Sequence, residues 1–269
     1  MRTTAIPWRT ADAYLADARS RGIVKIEIPP EKFRSLTIAK ALREHFNPDD
    51  CLVIPTDADE RSLIARLGDA GPQVLRRPLR SGETLAVTCG RTVLSLANQI
   101  VLPGLSYVRV VQATGGTTAK IPWTPEACAS HLAKALNARA IAISAPAIVS
   151  SAEVWEMLLR EFVLAEQLGI LAEADLIVMG ISSLRPESII NTSGFLNAGK
   201  PHAHYQAAVG SLVGGFTSPQ GEPVIGPMHD RIIRLDLDQL RRIPKRIAVA
   251  SEMDKVGSSR NGAAVSLPF

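Results

Sequence analysis

The sequence predicts an α/β protein built on one mostly parallel sheet with helices on both faces. Three observations carry this. Short apolar runs alternate with helix-period segments from residue 23 to 250, the pattern of repeated strand–helix units. The runs Leu85-Ala86-Val87, Ala140-Ile141-Ala142-Ile143 and Leu176-Ile177-Val178-Met179 are apolar at every position, as strands covered on both faces require. Of the 269 residues, 46% are hydrophobic and only 4% aromatic, so the core is aliphatic. A chain of this length can bury one large core.

The elements follow in order. Thr10 is placed to cap a helix running to Arg21, with Gly22 as its stop. Residues 23–28 alternate with period two and predict a strand ended by Pro29-Pro30. Ile38, Leu42 and Phe46 repeat every four residues, a helix stopped at Asn47-Pro48. Leu52-Val53-Ile54 predicts a second strand, and residues 57–67 a helix with acidic residues in its first turn. Gly71-Pro72 and Ser81-Gly82 frame a polar connecting segment.

The stretch from Thr84 to Ile100 reads strand, tight turn, helix. Its apolar start is followed by Cys89-Gly90-Arg91-Thr92, then by Val93, Leu96, Ala97 and Ile100 at helical spacing. Residues 107–112 form the next strand, ending in Ala113-Thr114-Gly115-Gly116. Thr124-Pro125 supplies a cap and a first-turn proline for a helix to Leu136. Strand 140–143 and a helical stretch from Glu153 to Leu171, divisible into two, come next. Strand 176–179 ends in Gly180-Ile181-Ser182-Ser183. Glycine-punctuated loops fill the region after Asn191. Residues 232–237 look strand-like, 238–242 form a short helix, and 246–250 a last strand.

The turn after the first apolar strand carries the chemistry. At the carboxyl end of a strand in an open sheet, Gly90 lets an anion approach the backbone. The following helix presents unpaired amides, and Arg91 and Thr92 add a charge and a hydroxyl. An ordinary strand–helix turn also needs a small residue, so this turn is not decisive alone. Gly115-Gly116 and Gly180 to Ser183 give two more small-residue loops at strand ends, and three such loops can share one crevice.

Other residues point elsewhere less clearly. The net charge of +4 suits an anionic ligand or nearby nucleic acid without selecting either. The clusters at Arg76, Arg77 and Arg80 and at Arg241, Arg242, Lys245 and Arg246 lack interleaved aromatics and read as solvated surface. Cys51, Cys89 and Cys128 are scattered, and Cys89 reads as a buried thiol. His202 and His204 have no completing ligand set, and His229 and Asp230, if on a strand, would face opposite ways. No dinucleotide fingerprint, phosphate-loop or zinc-protease motif is present. No cofactor and no metal are expected. No stretch is long enough to span a bilayer and no signal peptide is evident, so a cytoplasmic protein is expected.

The order Cys-Gly-Arg-Thr, Gln-x-x-Gly-Gly, Ala-Pro, Gly-Ile-Ser, Asp-Arg and Arg-Arg-Ile-Pro resembles the effector-binding domain of SorC-family transcriptional regulators. The resemblance covers residues 13 to 256. It implies a Rossmann-like fold akin to sugar-phosphate isomerases that binds a phosphorylated sugar without turning it over. It implies a phosphate-side turn at Gly90, Arg91 and Thr92, a second wall at Gly115 and Gly116, Gly180 and Ser182 opposite, and Asp230 and Lys255 as further effector residues. Ser211 stands where the family often carries an acidic sugar ligand, and Thr114 where some members carry Lys or Arg.

The family's helix-turn-helix is largely missing from the sequence as given, so DNA binding by this stretch alone is expected to be weak. Residues 1–22 read as its remnant, 23–256 as the effector-binding domain, and 257–269 as a divergent tail. A homodimer or homotetramer is the expected assembly. Two alternatives stand beside this reading. One is an isomerase-type enzyme using Asp230 or Asp175 as base. The other is a remnant that binds no ligand.

Overall fold

The computed structural model describes residues 12–14, 16–18, 21, 23, 30–55, 60–184 and 204–251. Among the described residues seven strands form: β1 Thr84–Val87, β2 Arg109–Gln112, β3 Arg139–Ile141, β4 Leu176–Gly180, β5 Gly210–Leu212, β6 Gly215–Thr217 and β7 Lys245–Val249. Five of them make one parallel sheet in the order β3-β2-β1-β4-β7, and β5 and β6 pair as a separate antiparallel hairpin. The sheet register aligns Val87 with Gln112 on one side and with Val178 on the other.

The helices are α1 Pro30–Phe46, α2 Glu60–Asp69, α3 Gly71–Arg76, α4 Arg91–Gln99, α5 Pro125–Ala135, α6 Ala152–Leu159, α7 Phe162–Ala172 and α8 Leu237–Arg242. They enclose the sheet in two apolar layers. Leu85, Val87, Val110 and Val178 pack with Val93 and Leu96 of α4 and Cys128 and Leu132 of α5. Ala86, Val111, Ile177 and Met179 pack with Leu164 and Leu171 of α7 and Leu240 of α8. Successive strand residues thus enter opposite layers, which is why the central strands β1 and β4 are almost wholly apolar and buried, whereas the edge strand β3 leaves Arg139 and Ala140 exposed. Each buried Leu or Ile contributes about 1.5–3 kcal/mol by leaving water.

Local chemistry sets the helix ends. Thr124 Oγ1 accepts from the Ala127 amide at 3.2 Å and starts α5. Asp236 Oδ1 accepts from the Gln239 amide at 2.6 Å, and Gln239 Oε1 accepts from the Asp236 amide at 3.1 Å, a reciprocal capping box on α8. Asn47 closes α1 with φ 52°, one of the few residue types at ease there.

The second basic cluster departs from the expected solvated surface. Arg246 is 3% exposed, and its Nη1 donates to the carbonyls of Arg241 and Ile243, both at 2.6 Å. It closes the carboxyl end of α8, where orphan carbonyls and the helix dipole attract a cation. Lys245 Nζ reaches Glu83 Oε1 at 2.5 Å and the Pro78 carbonyl at 2.7 Å.

Four elements differ from the sequence expectation. Residues 52–54 are irregular with Leu52 exposed, since the sheet edges are β3 and β7 and Pro55 lacks a ladder donor. Gly71-Pro72 starts helix α3 instead of a loop; proline suits a first helical turn, and a Cβ on Gly71 would lie 2.9 Å from Leu96 Cγ. Tyr107 has φ 58° and is exposed, so β2 begins only at Arg109. Residues 232–235 make isolated antiparallel bridges, Ile148 with Ile232 and Thr114 with Arg234, before α8 begins at Leu237. The strand expected over residues 23–28 lies outside the described residues apart from Ile23, as do His202 and Lys255.

Candidate functional site

The strand order reverses between β1 and β4, so a crevice opens beyond their carboxyl ends. The turn after β1 forms one wall. Gly90 has φ 144° and ψ 158°, a conformation open only to glycine, and a Cβ built there would meet nothing within 4 Å. Among the described residues, glycine is thus required here by the backbone and not by crowding. The first turn of α4 has no side-chain cap and no acidic residue. Its first amides lie beyond the reach of the helix's own carbonyls. Arg91 is exposed, with its guanidinium carbon 6.0 Å from the centre of the Trp123 ring, while Thr92 is 7% exposed.

The turn after β4 joins the same wall. Thr88 donates its amide to the Val178 carbonyl at 3.1 Å, and its Oγ1 accepts from the Gly180 amide at 3.1 Å. A Cβ on Gly180 would lie 3.9 Å from Thr92 Oγ1 and 3.8 Å from the Cys89 carbonyl. Gly90, Arg91, Thr92 and Gly180 are therefore one cluster. One residue further, Ser182 and Ser211 exchange both backbone hydrogen bonds, at 3.1 and 2.9 Å. That exchange docks the β5–β6 hairpin against the end of β4. Ser211 is 2% exposed.

Gly115 and Gly116 play a different part from an open loop. The Gly115 amide donates to Ile233 and the Gly116 amide to Ala145, at 2.9 and 2.8 Å. A Cβ on Gly115 would lie 2.6 Å from the Ala145 carbonyl oxygen. These glycines let two backbones touch; their amides are already used. Asp230 sits on a short 3-10 turn, His229–Arg231, with its side chain 63% exposed. The turn, replacing the strand that would have separated them, brings His229 Nε2 to 3.8 Å from Asp230 Oδ1. None of the contacts described links Asp230 to the Gly90 cluster.

Beneath the turn lie two thiols. Burial pushes Cys89 up to about 12, with Cys128 and Glu126 adding to it and a backbone hydrogen bond opposing. Burial likewise pushes Cys128 up to about 11, against the Gly90 carbonyl that its Sγ faces at 3.9 Å. Both stay protonated near neutrality, so neither is an activated nucleophile. Thr88 and Trp123 were not singled out by the sequence. Thr88 is only the residue after an apolar strand, whereas Trp123, one of three tryptophans, stands just before a capped helix.

The comparisons with known proteins agree with this architecture. Residues 31–261 match the Sugar-bind family, described as "Putative sugar-binding domain". The chain is 27% identical to the transcriptional regulator YjhU of Escherichia coli, over 90% of this chain and 76% of the relative. It is 28% identical to the transcriptional regulator LsrR of Klebsiella pneumoniae, over 93% and 76% of the two chains. The sorbitol operon regulator SorC from Klebsiella pneumoniae superposes with a TM-score of 0.79 at 19% identity, over 96% of this chain and 85% of that one. Through residues 31–261, with this fold and this crevice, the chain belongs to the SorC-type family of sugar-binding domains of transcriptional regulators.

Proposed function

We propose that the crevice binds a phosphorylated sugar whose phosphate rests on the first turn of α4, and that occupancy changes how the regulator engages DNA. The α4 start carries the reading. It is a glycine-only turn with no described residue crowding a Cβ there, no carboxylate in its first turn, and Arg91 alongside. Gly180, Ser182 and Ser211 line the sugar side in this reading. Lys255, outside the described residues, serves as a second phosphate cation.

Effector binding fits better than turnover. Asp175 is held at the opposite end of the sheet, where its Oδ2 accepts from the Thr84 amide at 2.8 Å. Asp230 is exposed on its turn. Neither is poised over the α4 start as a general base. The likeness to a sorbitol operon regulator supports a sugar-derived ligand. Exposed Met157, Phe162 and Val163 on neighbouring helices offer apolar surface for self-association.

Thermal unfolding against sugar phosphates, their unphosphorylated sugars and inorganic phosphate tests this. A true effector at a hundred times its dissociation constant stabilises by about 2.7 kcal/mol. A shift for a phosphorylated sugar only, lost in Arg91→Ala with the fold intact, is expected. A cooperatively melting protein that responds to none of them contradicts the reading.

A further inference from the structure

Helix α7 has the composition of a buried helix and the exposure of a surface one. Of its eleven residues only Glu166 and Gln167 are polar. A helix that is apolar on every side belongs inside a protein. Yet only Leu164 and Leu171 are buried, while Phe162 is 80% exposed and Val163 55%. Beside it runs β3, which among the described residues is an edge of the sheet, with Arg139 and Ala140 exposed.

Helix and strand form one continuous face. The Ser144 amide donates to Gln167 Oε1, and Gln167 Nε2 donates to Ser144 Oγ, both at 2.8 Å. Val163, Glu166, Gln167 and Ile170 recur at i, i+3, i+4 and i+7, so this stripe of α7 borders β3. The Arg139 amide donates to the Val108 carbonyl at 3.1 Å, so Ala140, one residue on, turns its amide and carbonyl to the open edge. Arg139 shares a side of the sheet with Ile141, which packs in the layer of Leu164 and Leu171. It therefore stands on the α7 side, at the amino end of β3. Ser144, which holds Gln167, lies past the carboxyl end of β3, so Glu166 stands at the other end of the face. The face is basic at one end, acidic at the other and apolar alongside.

That arrangement complements itself. A two-fold axis across the face sets the amino end of β3 in one copy against the carboxyl end in another. We infer that the α7–β3 face is where a second copy of this chain docks, with Arg139 of each copy against Glu166 of the other and Phe162, Val163 and Ile170 covered between them. The same contact covers the open edges of β3. The inference goes beyond the effector reading and does not rest on it.

Analytical ultracentrifugation of charge-reversed variants tests it. The wild-type protein is expected to sediment at twice the single-chain mass of 28.9 kDa or more. Arg139→Glu and Glu166→Arg each set like charges together at both symmetric contacts, and each is expected to weaken association by on the order of tenfold or more. Mixing the two variants in equal amounts re-forms both contacts between unlike copies, so association is expected to return. Both side chains are exposed, so each variant is expected to melt as cooperatively as the wild type. A wild-type protein that sediments as one chain overturns the inference. So do single reversals that leave the mass unchanged, or a mixture that associates no better than its components. None of these results touches the effector reading, which the sugar-phosphate thermal shift reports separately.

Discussion

At the scale of residues, the site depends on a backbone conformation more than on any side chain. Gly90 at φ 144° and ψ 158° cannot be replaced without strain, even though space for a Cβ exists. Gly90→Ala should therefore destabilise by about 1–3 kcal/mol, read by urea unfolding, and remove phosphate-dependent stabilisation. Arg91→Ala should keep the fold and weaken sugar-phosphate binding about tenfold or more, since a charge-assisted bond contributes about 1.5–3 kcal/mol. The thiols below make a separate prediction. Their folded values, about 12 and 11, lie above the ordinary value of 9.0. The native state thus holds these protons more tightly than the unfolded chain does. Their contribution is complete below about pH 9 and is lost as pH rises from there through about 11 and 12. Alkaline unfolding midpoints should show this loss, and a Cys89→Ala, Cys128→Ala variant should show a shallower one. Gly90, Arg91 and Thr92 were legible because strand, turn and helix signals abut there. Thr88 and Trp123 were not, because a latch between two strand ends and a ring under a guanidinium are made by tertiary neighbours.

At the scale of elements, Arg246 shows how a charge in a basic run can be structural. It satisfies carbonyls at the end of α8 from within β7. Arg246→Met leaves those carbonyls buried without donors and should cost about 2–4 kcal/mol in urea unfolding, with unchanged ligand specificity. Its run of four cations reads as surface because periodicity does not reveal which one points under a helix end. The central strands β1 and β4 were legible from their apolar runs. The β5–β6 hairpin was not: its two-residue turn is Val213-Gly214, with φ 51° and 74°, and valine is a poor marker for a turn that needs both residues left-handed. Residues 52–54 failed in the opposite direction. A three-residue apolar run predicts a strand only where a neighbour exists to pair with it, and the sheet closes without one there.

At the scale of the whole molecule, the fold gathers turns from distant parts of the chain at one reversal of strand order. The β1 turn, the β4 turn and the docked hairpin meet there through Thr88, Gly180, Ser182 and Ser211. Closing a ligand between these parts is a direct way to bias one arrangement of the regulator over another. The self-association proposed for the exposed apolar helices predicts that Phe162→Glu lowers the sedimenting mass toward that of one chain, 28.9 kDa. The central claim, that the start of α4 holds the phosphate of a sugar, is tested most directly by a crystal structure of the protein with the sugar phosphate that stabilises it most. The account predicts phosphate oxygens within hydrogen-bond reach of the Arg91 and Thr92 amides, above Gly90. A phosphate bound elsewhere, with the α4 start left to solvent, would contradict it.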